Sequence, residues 1–436
     1  MIKKEKQHNT HPARVAENYY KLSKKDKKEL IDEFNAKKLA ILIKNLSPEE
    51  KNEVAEMITK EALEEVFSNL ASDEIVDVLG DLSVGKSKRI LNFIKKEDAE
   101  TIKELMKYEE DTAGSLMATE YIGLRKKATI KEAIEKIKEI NPHTEIIGEI
   151  YIVDDSKRLV GRASIRDLFT HSENMLLEEI MNTDIVSTDP HEDQEVVARK
   201  IIKYGLLAIP VINSDSKLVG IITADDVLSV VEKEATEDIL KMAGAGYKVE
   251  EKIRSKKLLD DNLLSGIKLR LPWLLLALLG GLAAGGVIGF FEETLSTVIA
   301  LAFFIPVIMD MAGNVGTQSS TIFIRGLALD QIKEEEFLKY LLSELKIGLT
   351  IGVVSGVLVG LLAAFWEKMI LGVVVGTAMF LSIVFATLLG FLIPWIIYKL
   401  DWDPATGTGP VITTIKDITS LLIYFTIANI LLSGLL

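Results

Sequence analysis

Asp417 stands in a stretch that is otherwise built to avoid charge. From Val411 to Leu436 the chain is apolar, broken by Lys416 and Asp417. That is long enough to cross a bilayer, since about 20 residues at 1.5 Å per residue cover a hydrocarbon core of about 30 Å. A carboxylate inside a membrane helix costs roughly 2.5–3.5 kcal/mol on insertion scales, and it normally faces a bundle interior or a water-filled path where it handles an ion or a proton. Asp417 is therefore the first functional candidate. The plainer alternative is that it pairs with adjacent Lys416, or sits near the interface because Pro410 marks a late helix start.

A second group of acids precedes the apolar half: Asp225, Asp226, Glu232, Glu234, Glu237 and Asp238. Carboxylates placed on neighbouring helices repel unless a divalent ion sits between them. The alternative is a solvated helix laced with i,i+4 ion pairs. A third candidate is the run from Gly80 to Ser87, which matches the phosphate-loop pattern G-x-x-x-x-G-K-S. Such a loop cradles phosphate only between a strand and a helix. Here the preceding SDEIVDVLGDL reads as a capped amphipathic helix, so no nucleotide hydrolysis is expected. The five histidines, His8, His11, His143, His171 and His191, all precede the apolar half. No H-E-x-x-H can then line a span, which excludes an intramembrane zinc protease.

The elements that must position these groups fall into two halves. With 51 basic and 64 acidic residues the formal net charge is −13, which argues against a nucleic-acid binder and suits attraction of cations. There is no cysteine, hence no disulfide framework or thiolate metal site. MIKKEKQHNT lacks the apolar core of a signal peptide, so the charged half is expected in the cytoplasm. Residues 1–113 read as short helices stacked in pairs, with cap signals such as Ser47-Pro48-Glu49-Glu50 and Ser72-Asp73-Glu74.

From 114 to 234 the chain repeats itself. YIVDDSKRLVGRASIRDLF, Tyr151 to Phe169, aligns with PVINSDSKLVGIITADDVL, Pro210 to Leu228; Gly161 falls on Gly220, Ser164 on Thr223 and Asp167 on Asp226. Upstream, Met117 and Thr119 align with Met181 and Thr183. Each copy predicts two strands and a helix opened by an S/T-x-x-D cap. The tandem copies, 114–175 and 176–234, resemble a pair of CBS domains. That resemblance implies adenine-nucleotide binding, ATP or another, with Ser164, Arg166 and Asp167 at the position of ribose and phosphates; the alternative is a purely structural cap.

A connecting segment, 235–265, leads to the apolar half, 266–436. Five stretches there could span a bilayer: Leu271 to Phe291, Val298 to Ile324, Ile347 to Trp366, Met369 to Tyr398, and Val411 to Leu436. The basic residues cluster so that the positive-inside bias puts the N-terminus in the cytoplasm and the C-terminus outside. Glycine ladders, Gly281/Gly285/Gly289 and Gly352/Gly356/Gly360, allow close helix approach. Pro306, Gly313-Asn314 and Pro394 are expected to break or kink their helices.

DPATGTGPVITTIKDITSLLIYF at the end of the chain, with GNVGTQSS at Gly313 to Ser320, resembles the MgtE family of magnesium channels. The resemblance implies an all-α N-terminal domain, an α+β CBS pair, a connecting plug helix and a five-span membrane domain assembled as a homodimer in the cell (inner) membrane. It implies no enzyme activity. It further implies that Asp417 binds Mg²⁺ at the centre of the pore, lined also by Gly313, Asn314, Pro410 and Thr414. Asp226, Glu234, Glu237 and Asp238 would then bind sensor Mg²⁺ and gate the pore through the plug. Gly409 stands where some members place a polar side chain. The competing function is a membrane-anchored metal or nucleotide sensor with no pore, against which stands the polar content of the second and fifth spans.

Overall fold

The structure, a computed structural model, describes residues 11–139, 148–244, 263–329, 331–400, 402–406 and 408–432. It divides into two compact units, 1–233 and 234–436. The stretch 245–262 of the expected connecting helix lies outside the described residues.

The first unit opens with short helices, among them Lys24–Glu33, Ala36–Lys44, Pro48–Met57, Lys60–Phe67, Ser72–Gly80, Val84–Leu91 and Lys96–Leu105. Ser23, Asn35, Ser47 and Thr59 each accept the backbone N–H three residues on, satisfying a donor that the first turn leaves orphaned. Their apolar faces meet in one core containing Leu39, Leu42, Ile43, Val54, Val66, Val78 and Leu79, each contributing about 1.5–3 kcal/mol by leaving water. One cap is displaced from its expected place. Ala71, not Ser72, precedes the helix Ser72–Gly80, and Glu74 reaches back to the Ala71 amide at 3.0 Å. Ser72 is used elsewhere, donating to Glu120 at 2.9 Å and accepting from the Thr119 amide at 2.9 Å.

The phosphate-loop match lies between two helices, as expected. Gly80 ends one and Val84 begins the next. Lys86 Nζ is spent on Glu56 at 2.7 Å and the Asn52 carbonyl at 3.0 Å.

The repeat folds as two related halves. In the first, β1 (Gly123–Arg125) runs parallel to β2 (Glu149–Val153), which pairs antiparallel with β3 (Leu159–Ser164) and leads into the helix Ile165–Thr170. In the second, β4 (Ala208–Ile212) pairs antiparallel with β5 (Leu218–Thr223), leading into the helix Ala224–Met242; a parallel bridge from Thr188 to Val211 stands where β1 would. The halves exchange their leading segments. Ala118 pairs with Ile221 of β5, and Asn182 pairs with Arg162 of β3. The repeated methionines and glycines belong to this exchange: Met117 lies on Gly220 and Met181 on Gly161, where an added Cβ would come within 2.7 Å and 2.5 Å of the respective sulfurs.

Among its described residues the second unit has five long apolar helices: Leu263–Phe290, Leu301–Ala328, Phe337–Trp366, Met369–Lys399 and Thr408–Leu432, here the first to fifth membrane helices. By length and composition the first, third, fourth and fifth can cross a membrane; the second, 28 residues long, carries more polar side chains. Pro272, Pro306 and Pro394 lie inside continuous helices, and Gly313-Asn314 does not interrupt its own. The helices expected to break or kink at Pro306, Gly313-Asn314 and Pro394 therefore do not end there, since a proline near a helix start or against packed neighbours can be accommodated without ending the helix. The Gly352/Gly356/Gly360 ladder does seat the third helix on the fourth, where a Cβ on Gly356 would lie 2.6 Å from the Gly376 carbonyl and one on Gly360 2.9 Å from that of Gly372. Among the described residues Gly281, Gly285 and Gly289 have nothing within 4 Å, so that ladder makes no packing seam there; the first helix instead meets the fifth at Gly280, against Thr414.

Lys86→Ala removes one partly exposed ion pair, so we expect a loss of under about 1 kcal/mol of stability and no change in ion transport. ATP hydrolysis by the wild-type protein that vanishes in this variant would contradict the helix-to-helix reading of the loop.

Candidate functional site

The fifth helix carries Lys416 and Asp417 into the bundle. Lys416 is only 6% exposed. Its Nζ lies 2.7 Å from Asp417 Oδ1, an ionic contact without the alignment of a hydrogen bond, and it donates to the Met309 carbonyl of the second helix at 2.8 Å. One turn on, Gly313 provides the space: an added Cβ there would collide with the Lys416 ammonium. Two turns away along the fifth helix, Tyr424 donates to the Leu301 carbonyl at 2.9 Å. The second and fifth helices thus run antiparallel with matched spacing, tied at two levels by side-chain donors to backbone oxygen.

Beside this seat the second helix presents a polar stripe. Asp310, Asn314 and Gln318 are four residues apart, share a face and are exposed in the single chain; Asn314 donates to Asp310 at 3.2 Å. Of the other expected pore residues, Gly313 receives Lys416 as described, and Thr414 packs on Gly280. Pro410 lies under Gly244, which takes φ +67° just past the helix Ala224–Met242. Gly409 faces the Met242 carbonyl, leaving no room for a side chain.

The acidic run is distributed along one helix, Ala224–Met242. Asp225 and Asp226 sit in its first turn, and Thr223 Oγ1 bonds to both carboxylates. Burial pushes the Asp226 carboxyl above its ordinary range, assisted by Asp225 and opposed by Thr223 and Lys44. Glu234 and Asp238 share a face one turn apart, about 12 Å or more beyond Asp226 along the axis. Glu237, 6% exposed, pairs with Lys241, which also holds Asp403 at 2.5 Å. Burial alone would lower the Lys241 ammonium, but Asp403 and Glu237 carry it upward. Among the described residues no three histidine, aspartate or glutamate side chains converge as a metal cluster.

In the first CBS-like half, Ser164 and Asp167 cap one another: Ser164 Oγ donates to Asp167 at 2.8 Å and accepts from its amide at 3.1 Å. The Ser164 hydroxyl, with the Ser164 backbone N–H that donates to Asp167 Oδ2 at 3.0 Å, holds the Asp167 carboxyl below its ordinary range, and His171 and the exposed Arg166 add to the effect. A polar cavity of about 540 Å³ lies in the second half, where Lys200 binds Glu192 at 2.6 Å beside Thr188 and His191.

The sequence had singled out Asp417 and treated Lys416 as its possible neutraliser. It did not find Asp310 and Gln318 as companions, nor Lys241 and Asp403; the i,i+4 spacing of Asp310, Asn314 and Gln318 was the available signal.

Family models match the chain in order. One described as the MgtE intracellular N domain matches residues 10–111, the CBS domain matches 113–174 and 177–233, and MgtE, a divalent cation transporter, matches 305–427. The magnesium transporter MgtE of Bacillus subtilis is 35% identical over 370 residues, covering 85% of this chain and 80% of its own length. That of Thermus thermophilus is 33% identical over 402 residues, covering 91% and 88%. A crystal structure of the cytosolic domain of the Mg²⁺ channel MgtE in complex with ATP matches with a TM-score of 0.50 and 31% identity, over 52% of this chain and 92% of the other.

Asp417→Asn keeps the side-chain shape and removes the charge. We expect divalent-cation binding by the solubilised protein, read by calorimetry, to weaken about tenfold or more, as loss of a charge-assisted contact of about 1.5–3 kcal/mol implies. Unchanged affinity would assign the ion to backbone carbonyls.

Proposed function

The chain belongs to the MgtE family, and on that premise we propose that it conducts Mg²⁺ across a cell membrane as a homodimer, with Asp417 of both copies holding the ion in transit. Mg²⁺ dehydrates reluctantly and favours octahedral oxygen, so one or two carboxylates that leave its waters in place suit passage better than a closed cage. The observation that carries the reading is the stripe of Asp310, Asn314 and Gln318 exposed on the second helix, the helix whose Met309 carbonyl and Gly313 hold Lys416, the neighbour of Asp417. Exposed polar groups in a membrane helix would face hydrocarbon in a lone chain; a second copy across a water-filled path removes that cost. Gln318 and Asn314 can hydrogen-bond the retained waters, while Gly313 serves to seat Lys416.

The helical and CBS regions lie in the cytosol, and with five spans the C-terminus emerges on the opposite side. Gating, on this reading, starts at Asp226, Glu234, Glu237 and Asp238. The helix that bears them ends at Met242, and Lys241 ties that end to Asp403, in the loop heading the fifth helix. Gly244 rests on Pro410 and Trp273 of the first helix. Ions held separately at Asp226 and at Glu234 with Asp238, each completed by groups from a second copy, favour the compact state, because a ligand shifts an equilibrium by its differential affinity for the two states. Adenine nucleotide binds at Ser164, Arg166 and Asp167; the described bonds of Asp167 use Oδ2, leaving Oδ1 for a sugar hydroxyl.

Mg²⁺ uptake into liposomes separates this reading from a sensor without a pore: flux in the wild type, abolished by Asp417→Ala in a dimer that still folds, is expected, and normal flux in that variant would end the pore-site assignment. Glu234→Ala with Asp238→Ala should raise roughly tenfold the Mg²⁺ needed to protect the soluble half from protease, a coupling of about 1.4 kcal/mol. Protection at the wild-type concentration would make these acids a solvated surface.

A further inference from the structure

Lys416 is the one feature of the ion path that the function just described does not use. It places a full positive charge 2.7 Å from the carboxylate assigned to the ion, and the surroundings are built to keep it there. The ammonium is buried, it donates to the Met309 carbonyl at 2.8 Å, and Gly313 leaves vacant the volume in which it sits. The Met309 carbonyl thus gives the ammonium a second acceptor besides Asp417, on the side away from the carboxylate's own helix.

We infer that Lys416 is a tethered competitor for the Asp417 carboxylate, a valence filter that keeps monovalent cations off the site and yields to Mg²⁺. The inference rests on Asp417 being the ion site. An ammonium on the neighbouring residue, already oriented, competes at an effective concentration far above that of any free ion in solution. Na⁺ or K⁺ brings the same single charge and gains nothing by displacing it. Mg²⁺ brings two charges, so its Coulomb attraction to the carboxylate at equal distance is doubled, and in a dimer it engages two carboxylates at once. When the ion arrives, the Met309 carbonyl gives the ammonium a resting place, so Lys416 need not be left unpaired in the bundle.

The test uses full-length protein in liposomes, with Mg²⁺ and Na⁺ fluxes measured separately. Lys416→Gln keeps an N–H donor for Met309 and loses the charge; Lys416→Met loses both. Each is expected to lower the Mg²⁺ concentration for half-maximal flux by about tenfold, since a like charge beside the ion is gone, and to admit Na⁺ when Mg²⁺ is absent. Unchanged Mg²⁺ affinity and continued Na⁺ exclusion in both variants, alongside a dead Asp417→Ala, would reduce Lys416 to a structural tie and overturn the inference while sparing the pore site. Folded variants that carry neither ion would overturn it also, by making the ammonium necessary for passage. Normal Mg²⁺ flux in Asp417→Ala would instead remove the underlying site and the inference with it. If neither substituted protein folds, the wild type decides: Na⁺ flux in Mg²⁺-free liposomes comparable to its Mg²⁺ flux means that no filter exists.

Discussion

A carboxylate carried on a membrane helix among apolar neighbours has to be given a counter-charge, because the bundle's low dielectric magnifies whatever is left unbalanced. Lys416 supplies that charge, and the helices around it are arranged by what Lys416 requires. Its ammonium takes a backbone oxygen from the second helix, Gly313 gives up its side chain to admit it, and Tyr424 repeats the same kind of tie further along. The fourth helix can then close against the second at Gly390 and Gly316, where neither residue has a side chain to hold them apart.

Helix contact in this half joins a buried apolar core, with Leu301, Phe304, Ile308 and Val375 in it, to close approach at small residues and ties to backbone oxygen. In a bilayer the lipid is as apolar as leucine, so association must come from close packing and polar ties. The contrast with the cytosolic half is direct. There Leu42, Val54 and Val66 withdraw from water into one core, and polar caps tidy the helix ends.

The repeat was legible because it is written twice. Gly161 with Gly220, Met117 with Met181, and the S/T-x-x-D caps mark two strands and a helix in each copy. What one-dimensional pattern could not tell was partnership. Gly281, Gly285 and Gly289 have the same spacing as Gly352, Gly356 and Gly360, yet one ladder faces open space and the other seats a helix, a difference decided by which helix lies opposite. Pro306 and Pro394 looked like breaks because local rules ignore the support of packed neighbours. Ser72 looked like a cap because Glu120, 48 residues away, was invisible to the local sequence. Asp417 was readable from its cost alone, whereas the seat of Lys416 depended on Met309 and Gly313, some hundred residues earlier in the chain.

The exchange between the two halves of the CBS pair also has a bearing on biosynthesis. Ala118 and Met117 find their places on β5, the last strand to be made, and Asn182 and Met181 return to β3. A nascent chain paused after the first half would expose β3 and the leading segment together, an unpaired edge of the kind that recruits chaperones or aggregates. The pair can close only after Thr223 has left the ribosome, when the first membrane helix, beginning at Leu263, is next in line. Completion of the cytosolic fold and delivery of the chain to the membrane are thereby brought close together in time.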